Sequence, residues 1–174
     1  MPELTSVYLK SICEVCIVKR SSQDKKYLKM ETTTASVITV EAIIDSPVEK
    51  VWEYWTGPAH VVKWNHASDD WHTTRATNDL RIGGTFSSRM EAKDGSMGFD
   101  FEGVYDDVRS NEYIEYSIAD GRKVKINFKT KGNTTIVTES FDAEPVNAEE
   151  IQKSGWQAII DNFKKYVETL NQEN

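Results

Sequence analysis

The sequence predicts an α+β domain in which a curved antiparallel sheet of about six or seven strands wraps around one long C-terminal helix. Three observations predict it. Short segments of alternating hydrophobic residues recur between turn signals, first at residues 37–44 and then over residues 69–141. A helix start at Ser46-Pro47 interrupts this series after its first strand. A helical apolar stripe then ends the chain.

The first strand and two short helices come from residues 37–64. Alternation of Ile38, Val40, Ala42 and Ile44 with polar neighbours predicts a strand with one buried face. Ser46 is the expected N-cap of the first helix, with Pro47 in its first position. Gly57-Pro58 ends that helix, and residues 59–64 form the second. The first helix turns three large residues inward: Val51, Trp52 and Trp55.

Six strands follow, near 69–78, 84–92, 98–108, 112–119, 122–130 and 133–141. The turns between the later strands are Asp94-Gly95, Ser110-Asn111, Asp120-Gly121 and Gly132-Asn133. Because these connections are short, strands adjacent in sequence are expected to be adjacent in the sheet. The strand at 98–108 alternates aromatic residues and a glycine with acids, so its inward face carries Phe99, Phe101, Gly103 and Tyr105.

The last element is a long amphipathic helix. Asn147 is its expected N-cap, and Glu150 completes a capping box. A single helix of this kind needs an apolar surface to cover, and the aromatic face of the meander is the candidate. The apolar stripe consists of Trp156, Ile159, Ile160, Phe163, Val167 and Leu170.

Several motifs resemble a known superfamily. The run Ser46-Pro47-Val48-Glu49-Lys50-Val51-Trp52 resembles the first-helix motif of the START-like, birch-pollen-allergen-like (SRPBCC) superfamily, which has the helix-grip fold. Its branch named after the heat-shock-protein-90 ATPase activator is resembled by Asp79-Leu80-Arg81-Ile82-Gly83-Gly84, Met90, Asp94-Gly95, Phe101-Glu102-Gly103-Val104-Tyr105 and Gly155-Trp156. The resemblance covers residues 37–170. It implies a helix-grip fold, and its members commonly have an apolar cavity between the sheet and the long helix.

Two domain-level segments are expected: an N-terminal extension at 1–36 and the helix-grip domain at 37–174. The extension has no clear period, and it is either partly disordered or contributes an added strand or helix at 7–18. It contains Cys13-Glu14-Val15-Cys16, without a second C-x-x-C or a thioredoxin-like context. Two ordinary thiols are therefore favoured over a redox pair or half of a zinc site.

Bulk properties exclude several function classes. A net charge of −7 with scattered basic residues argues against a nucleic-acid partner. No apolar run approaches the ~20 residues needed to span a bilayer, so no membrane span is expected. Two cysteines do not make a disulfide framework, which favours the cytoplasm. No nucleotide, phosphate or metal motif is present, so no cofactor is predicted, and both a monomer and a homodimer remain open.

The inward aromatic residues either fill a solid core or line a cavity for a small apolar or aromatic ligand. The cavity is favoured, mainly because the resemblance implies one. Arg75, Arg81, His66 and Ser88 are candidate polar anchors. The candidate ligand-binding residues are Trp52, Trp71, Arg75, Phe86, Ser88, Met90, Phe99, Phe101, Tyr105, Tyr116, Trp156 and Ile160.

The three histidines give no metal pattern. His60, His66 and His72 are six residues apart, whereas ligand pairs lie two apart on a strand or four apart on a helix. His66 and Asp70 are candidates for an acid–base role, although hydrogen-bonded positions at the cavity rim are the favoured interpretation.

The preferred function is therefore a carrier or sensor of small hydrophobic ligands, and a binding protein is favoured over an enzyme. One alternative is a co-chaperone-like module that binds a chaperone protein, as the named branch implies. A second is a cyclase- or hydratase-like enzyme that uses His66 and Asp70. The outward acids of the aromatic strand form a solvated face or a surface for a basic partner: Asp100, Glu102, Asp106 and Asp107.

Overall fold

The computed structural model describes residues 36–172. In chain order the elements are β1 (Val37–Ile44), α1 (Val48–Thr56), α2 (Pro58–Trp64), β2 (Trp71–Asn78), β3 (Thr85–Ala92), β4 (Gly98–Arg109), β5 (Tyr113–Ile118), β6 (Lys123–Lys131), β7 (Thr134–Asp142) and α3 (Glu149–Gln172). The predicted α+β helix-grip fold is confirmed. The extension before Ser36, with its predicted element at 7–18 and Cys13 and Cys16, lies outside the described residues.

All seven strands form one antiparallel sheet in the order β1-β7-β6-β5-β4-β3-β2. Each strand from β2 to β6 pairs with the strand that follows it in the chain, as the short turns predict. Strand β1 pairs with β7, from Val37 opposite Asp142 to Ile44 opposite Thr135. The register shifts between Thr73 and Arg75, and between Tyr105 and Asp107. Such bulges bend a strand and increase its twist, which helps the sheet to curl.

Two predicted helix caps are wrong. Helix α1 begins one residue later than expected, with Pro47 as its N-cap and no side-chain capping bond. The buried Ser46 hydroxyl has no hydrogen-bond partner within residues 36–172, while the Ser46 carbonyl accepts from Thr135 Oγ1 at 2.8 Å. Sheet contacts rather than the helix end thus determine where Ser46 lies.

Helix α3 begins at Glu149, and Asn147 does not cap it. The Asn147 side chain instead donates from Nδ2 to Glu144 Oε1 at 2.6 Å. The buried Gln152 closes this loop, because its Nε2 donates to the carbonyls of Glu144 and Asn147 at 3.0 and 2.8 Å. A side chain inside the helix therefore holds the loop that precedes α3, and the contacts of Asn147 and Gln152 are made within that loop rather than to the free N–H groups of the first helical turn.

The core lies between α3, α1 and the β1 side of the sheet. Phe141 on β7 stacks on Trp156 of α3, with ring centroids 4.1 Å apart and an angle of 17° between the planes. Phe163 lies two turns after Trp156 on α3 and is fully buried. Its ring centroid lies 4.8 Å from the ring centroids of Trp55 and Trp64. The edge-on contacts join the three helices to one another, and the stacked pair joins α3 to the sheet.

Replacement of Phe163 by Ala is expected to lower the free energy of unfolding by about 3–5 kcal/mol, because it leaves a cavity among rings that do not collapse easily. Chemical denaturation at neutral pH measures the loss. Ile82→Ala is the control, since Ile82 is 64% exposed, and it should change stability by less than about 0.5 kcal/mol. Equal effects of the two variants would contradict this account of the core.

Candidate functional site

A recess of about 120 Å³ lies between the concave middle of the sheet and helices α2 and α3. Every strand from β2 to β7 contributes to its wall, together with the end of α1. The walls are mostly aromatic or aliphatic. The lining residues are Trp55, Thr56, Pro58, Val61, Trp64, Asn65, Ala76, Thr77, Asn78, Phe86, Ser88, Met90, Phe99, Phe101, Tyr105, Ile114, Tyr116, Ile126, Glu139, Trp156 and Ile159.

Gly103 on β4 shapes one wall of the recess. A Cβ atom at this position would lie 2.6 Å from Cε1 of Phe86, so only glycine lets the Phe86 ring lie against the strand. The ring then makes an edge-on contact with Tyr116 at 4.7 Å between centroids. The glycine in the alternating β4 pattern thus places an aromatic ring rather than opening a gap.

The rim near α1 is held by a chain of hydrogen bonds. The Tyr105 hydroxyl donates to Asn78 Oδ1 at 2.9 Å, and Asn78 Nδ2 donates to the Thr56 carbonyl at 2.6 Å. Burial raises the pKa of Tyr105, so its hydroxyl stays protonated and remains a donor. Strands β2 and β4 are thereby tied to the C-terminal end of α1.

Glu139 on β7 is the one acid among the described residues that line the recess. It is only 4% exposed. Its inward neighbours are apolar: Val137 and Phe141 on its own strand, Val40 opposite on β1 and Ile126 opposite on β6. Within residues 36–172 no hydrogen bond reaches its carboxyl group. Desolvation by this environment raises the pKa of Glu139 to about 8.

Two more polar side chains turn into the recess beside this acid. Tyr116 on β5 is buried, and its pKa is raised well above the ordinary range, first by burial and then by the nearby charge of Glu139. Ser88 on β3 is also buried. Neither hydroxyl has a hydrogen-bond partner within residues 36–172. The recess therefore combines apolar walls with a few unsatisfied polar groups, an arrangement typical of small-molecule sites.

Eight of the twelve candidate ligand-binding residues line this recess. They are Phe86, Ser88, Met90, Phe99, Phe101, Tyr105, Tyr116 and Trp156. All but Trp156 lie at inward positions of β3, β4 and β5, where the alternation in the sequence placed them.

The other four candidates lie elsewhere. Trp52 packs on Phe128 with ring centroids 5.2 Å apart, and Ile160 is fully buried in the core beneath α3. Trp71, the first residue of β2, belongs to a small separate cluster of buried residues. Arg75 is on the outer face, 71% exposed, and its guanidinium lies 3.8 Å from Asp100.

Sequence reasoning missed Glu139, although a signal was present. In the predicted strand at 133–141, Glu139 has the same parity as Thr135, Val137 and Phe141, which places a charge on the buried face. It also missed the lining residues from helices α1 and α2. Amphipathic spacing indicates which face of a helix is buried, but it does not indicate which strand that face meets.

His66 and Asp70 do not line the recess. Asn162 Nδ2 donates to the His66 carbonyl at 2.7 Å and lies 3.2 Å from His66 Nδ1. Desolvation by partial burial lowers the pKa of His66. Asp70 is exposed and accepts from Ser68 Oγ at 2.5 Å. Asp70 thus has a local partner in the turn before β2, whereas His66 is held by Asn162 on α3.

The remaining candidates are also separate from the recess. Arg81 is exposed and pairs with Asp79 at 2.8 Å. His60 Nδ1 lies 2.7 Å from the Tyr166 hydroxyl on α3. Within residues 36–172 no three acidic, cysteine or histidine side chains gather as metal ligands would. In the same part of the chain no helix has the length and apolar character needed to cross a membrane.

Solved structures of similar proteins share this architecture. An AHSA1-like protein from Aeromonas hydrophila is 43% identical with a TM-score of 0.74, over 78% of this chain and 94% of that one. A protein from Cytophaga hutchinsonii is 55% identical with a TM-score of 0.68, over 79% and 95% of the two chains. A protein from Nitrosomonas europaea, at 17% identity and a TM-score of 0.67 over 78% and 96%, shares the fold.

A search of curated proteins finds no match to this chain. The family model described as Activator of Hsp90 ATPase homolog 1-like protein matches residues 45–168. That span runs from the turn before α1 to the last turns of α3, so it includes every element that lines the recess and leaves out only β1, which does not line it. The chain belongs to the family of Activator of Hsp90 ATPase homolog 1-like proteins.

Proposed function

We propose that this protein binds a small, mainly apolar ligand in the recess between the sheet and α3, as a carrier or sensor. The observation that carries the proposal is an enclosed aromatic space into which the buried side chains of Glu139, Ser88 and Tyr116 turn without a hydrogen-bond partner in the described chain. A buried polar group without a partner costs free energy, and a ligand can satisfy it.

The size of the space supports this proposal. Protein interiors are packed closely and contain few voids larger than a water molecule. A single water needs about 10–15 Å³ of such space, and the recess has about 120 Å³. A compact ring system or a short branched chain would fit.

The outer face of the sheet gives less support to a protein-binding role. Three of its four acids already have partners on this chain. Asp100 is 3.3 Å from the Arg89 guanidinium, Asp106 is 3.4 Å from Lys123 Nζ, and Asp107 is 3.3 Å from the Arg109 guanidinium. A basic partner would have to displace these ion pairs, whereas a ligand in the recess breaks no ion pair of the described residues.

The position of Glu139 also supports a ligand site. The carboxyl lies in a row of aliphatic residues across β1, β7 and β6, where an apolar residue would contribute more to stability. A local violation of the buried-apolar rule is expected where function requires it.

The proposed site is tested with Ser88→Phe, which places a ring in the recess from β3. The wild-type protein is expected to retain a small molecule in native mass spectrometry or to be stabilised by a member of a lipid and flavonoid panel. A ligand at 100 times its Kd adds about 2.7 kcal/mol to the free energy of unfolding. Ser88→Phe should lose that gain.

Ser87→Phe is the matched control. Ser87 adjoins Ser88 on β3, but alternation turns its side chain to the outer face, opposite Glu102. The control should bind as the wild type does. If no panel member stabilises the wild type, or if Ser88→Phe binds equally well, the recess is not the binding site.

A pH dependence of stability follows from Glu139. Its carboxyl ionises near the ordinary pKa of 4.5 when unfolded and at about 8 when folded. The folded state therefore holds the proton more tightly, and stability falls as pH rises from 4.5 to 8. The loss is complete above pH 8 and is on the order of a few kcal/mol. Glu139→Gln should abolish it.

The measurement is the difference in unfolding free energy between Glu139→Gln and the wild type across pH 4.5–8.5. This difference removes the opposite contribution of His66, whose lowered pKa makes the folded state gain stability as pH rises. Glu102→Gln, a change at an exposed outer-face acid, is the control and should give a flat difference. A flat difference for Glu139→Gln would mean that the Glu139 carboxyl is hydrated in solution.

A further inference from the structure

We propose that the recess selects ligands that carry a basic nitrogen, and that the Glu139 carboxyl pairs with this nitrogen. This inference rests on the proposed ligand-binding function and specifies the chemical class of the ligand. Its basis is the distribution of charge in the recess: one buried acid and, among the lining residues, no lysine, arginine or histidine.

The same distribution disfavours an anionic ligand. A fatty acid or another carboxylate would need a cation or several N–H donors at its head group. Among the lining residues the strongest donors are hydroxyls and amides, and the Asn78 amide is already occupied by the Thr56 carbonyl. A carboxylate would also lie near Glu139 in a space of low dielectric, where like charges repel strongly.

The aromatic walls suit a cation as well. Eight rings line the recess, three of them indoles: Trp55, Trp64, Phe86, Phe99, Phe101, Tyr105, Tyr116 and Trp156. The face of an aromatic ring attracts an ammonium group, and indole attracts it best. A carboxylate at one end of an aromatic enclosure is therefore complementary to an amine on an apolar body.

The surroundings leave Glu139 as the group that responds to pH. Its inward neighbours on β1 are Ile38, Val40 and Ala42, and those on β6 are Val124, Ile126 and Phe128, none of which titrates. Helix α3 presents Trp156, Ile159 and Ile160 to this side of the core. The titratable groups that face it are the phenols of Tyr116 on β5 and Tyr105 on β4, both with raised pKa values.

Binding has a defined proton balance. Below pH 8 the Glu139 carboxyl is protonated in the empty recess. When an ammonium ion enters, the carboxyl gives its proton to the buffer, and the carboxylate that remains pairs with the ammonium. One proton is thus released for each cation bound, and the affinity for the cation rises with pH until Glu139 is ionised before binding.

The test uses three probes of nearly equal shape: benzylamine, benzyl alcohol and benzoate. Isothermal titration calorimetry at pH 8.5 should give benzylamine an affinity about 10- to 100-fold above that of benzyl alcohol, the range expected for a charge-assisted hydrogen bond. Benzoate should bind most weakly. At pH 6.5, titrations in two buffers of different ionisation enthalpy should show that about one proton is released per benzylamine bound.

Glu139→Gln keeps the side-chain shape and removes the charge. It should bring benzylamine down to the affinity of benzyl alcohol and remove the proton release, while benzyl alcohol keeps its affinity within about threefold. Glu102→Gln should behave as the wild type. Circular dichroism and the unfolding midpoint establish that Glu139→Gln is folded, and the wild-type proton release gives a second measurement that needs no variant.

The outcomes separate this inference from the proposed function. Binding of benzyl alcohol that Ser88→Phe abolishes, without preference for benzylamine or with no proton release, would overturn the amine selectivity and leave the binding site standing. Tighter binding of benzoate would do the same. If no probe binds the wild type at millimolar concentration, the amine selectivity fails. The proposed function itself fails only if native mass spectrometry and the lipid and flavonoid panel also give no binding.

Discussion

The arrangement of helices over one curved sheet determines the rest of this structure. Helix α3 packs chiefly on β1 at one edge of the sheet, and α2 packs on β2 at the other edge. Side chains of α3 anchor it to the backbone at the β1 edge: Gln157 Nε2 donates to the Glu41 carbonyl at 3.0 Å, and Asn171 Nδ2 donates to the Asp45 carbonyl at 2.9 Å. The middle strands are left for side chains alone to cover.

Side chains over those middle strands do not fill the space completely. Large rings from the middle strands and from α3 meet at edge-on angles. An example is Phe101 of β4, whose ring plane makes an angle of 79° with that of Trp156 of α3. Flat rings in such arrangements leave gaps that smaller residues would have to fill. In this chain the residues at those gaps are polar, namely Ser88 and Glu139, and the recess is the consequence.

The buried acid connects this geometry to function. An isolated carboxyl in an apolar row stays protonated at neutral pH, because burial disfavours its charged form. A basic ligand changes that balance by bringing the opposite charge into the same enclosed space. Stability, protonation and ligand choice in this domain would then depend on one side chain, Glu139, and on the aliphatic residues of β1 and β6 beside it.

The outer face of the sheet has a different character. Its acids lie on β4 beside the inward aromatic residues, and arginines and lysines of β2, β3, β4 and β6 pair with three of the four. Such exposed pairs contribute little to stability. They do keep the convex face polar, which leaves the concave face as the surface where chemistry specific to this chain is concentrated.

Much of the fold was predictable from the sequence, because strands and helices depend on local periodicity. Alternation over 37–44 and over the six later segments determined the strands to within about two residues, and helical spacing identified the buried face of α3 at Ile160, Phe163 and Val167. Turn residues determined the antiparallel neighbours. The inward positions Phe86, Met90, Phe99, Phe101 and Tyr105 followed from the same parity, so most of one recess wall was predictable as well.

Tertiary structure decided which inward residues share the recess. Trp52 and Ile160 have inward positions yet pack into the core, because α1 and α3 meet the sheet at the β1 side. Ser46 has a cap sequence yet contacts Thr135, which lies within reach only after folding. Asn147 also has a cap sequence, but its side chain bonds to Glu144 in the same loop. Glu139 was visible by parity, but its environment depends on residues distant in sequence that the sheet register places around it. Periodicity determines the face of an element, and only packing between elements determines what that face meets.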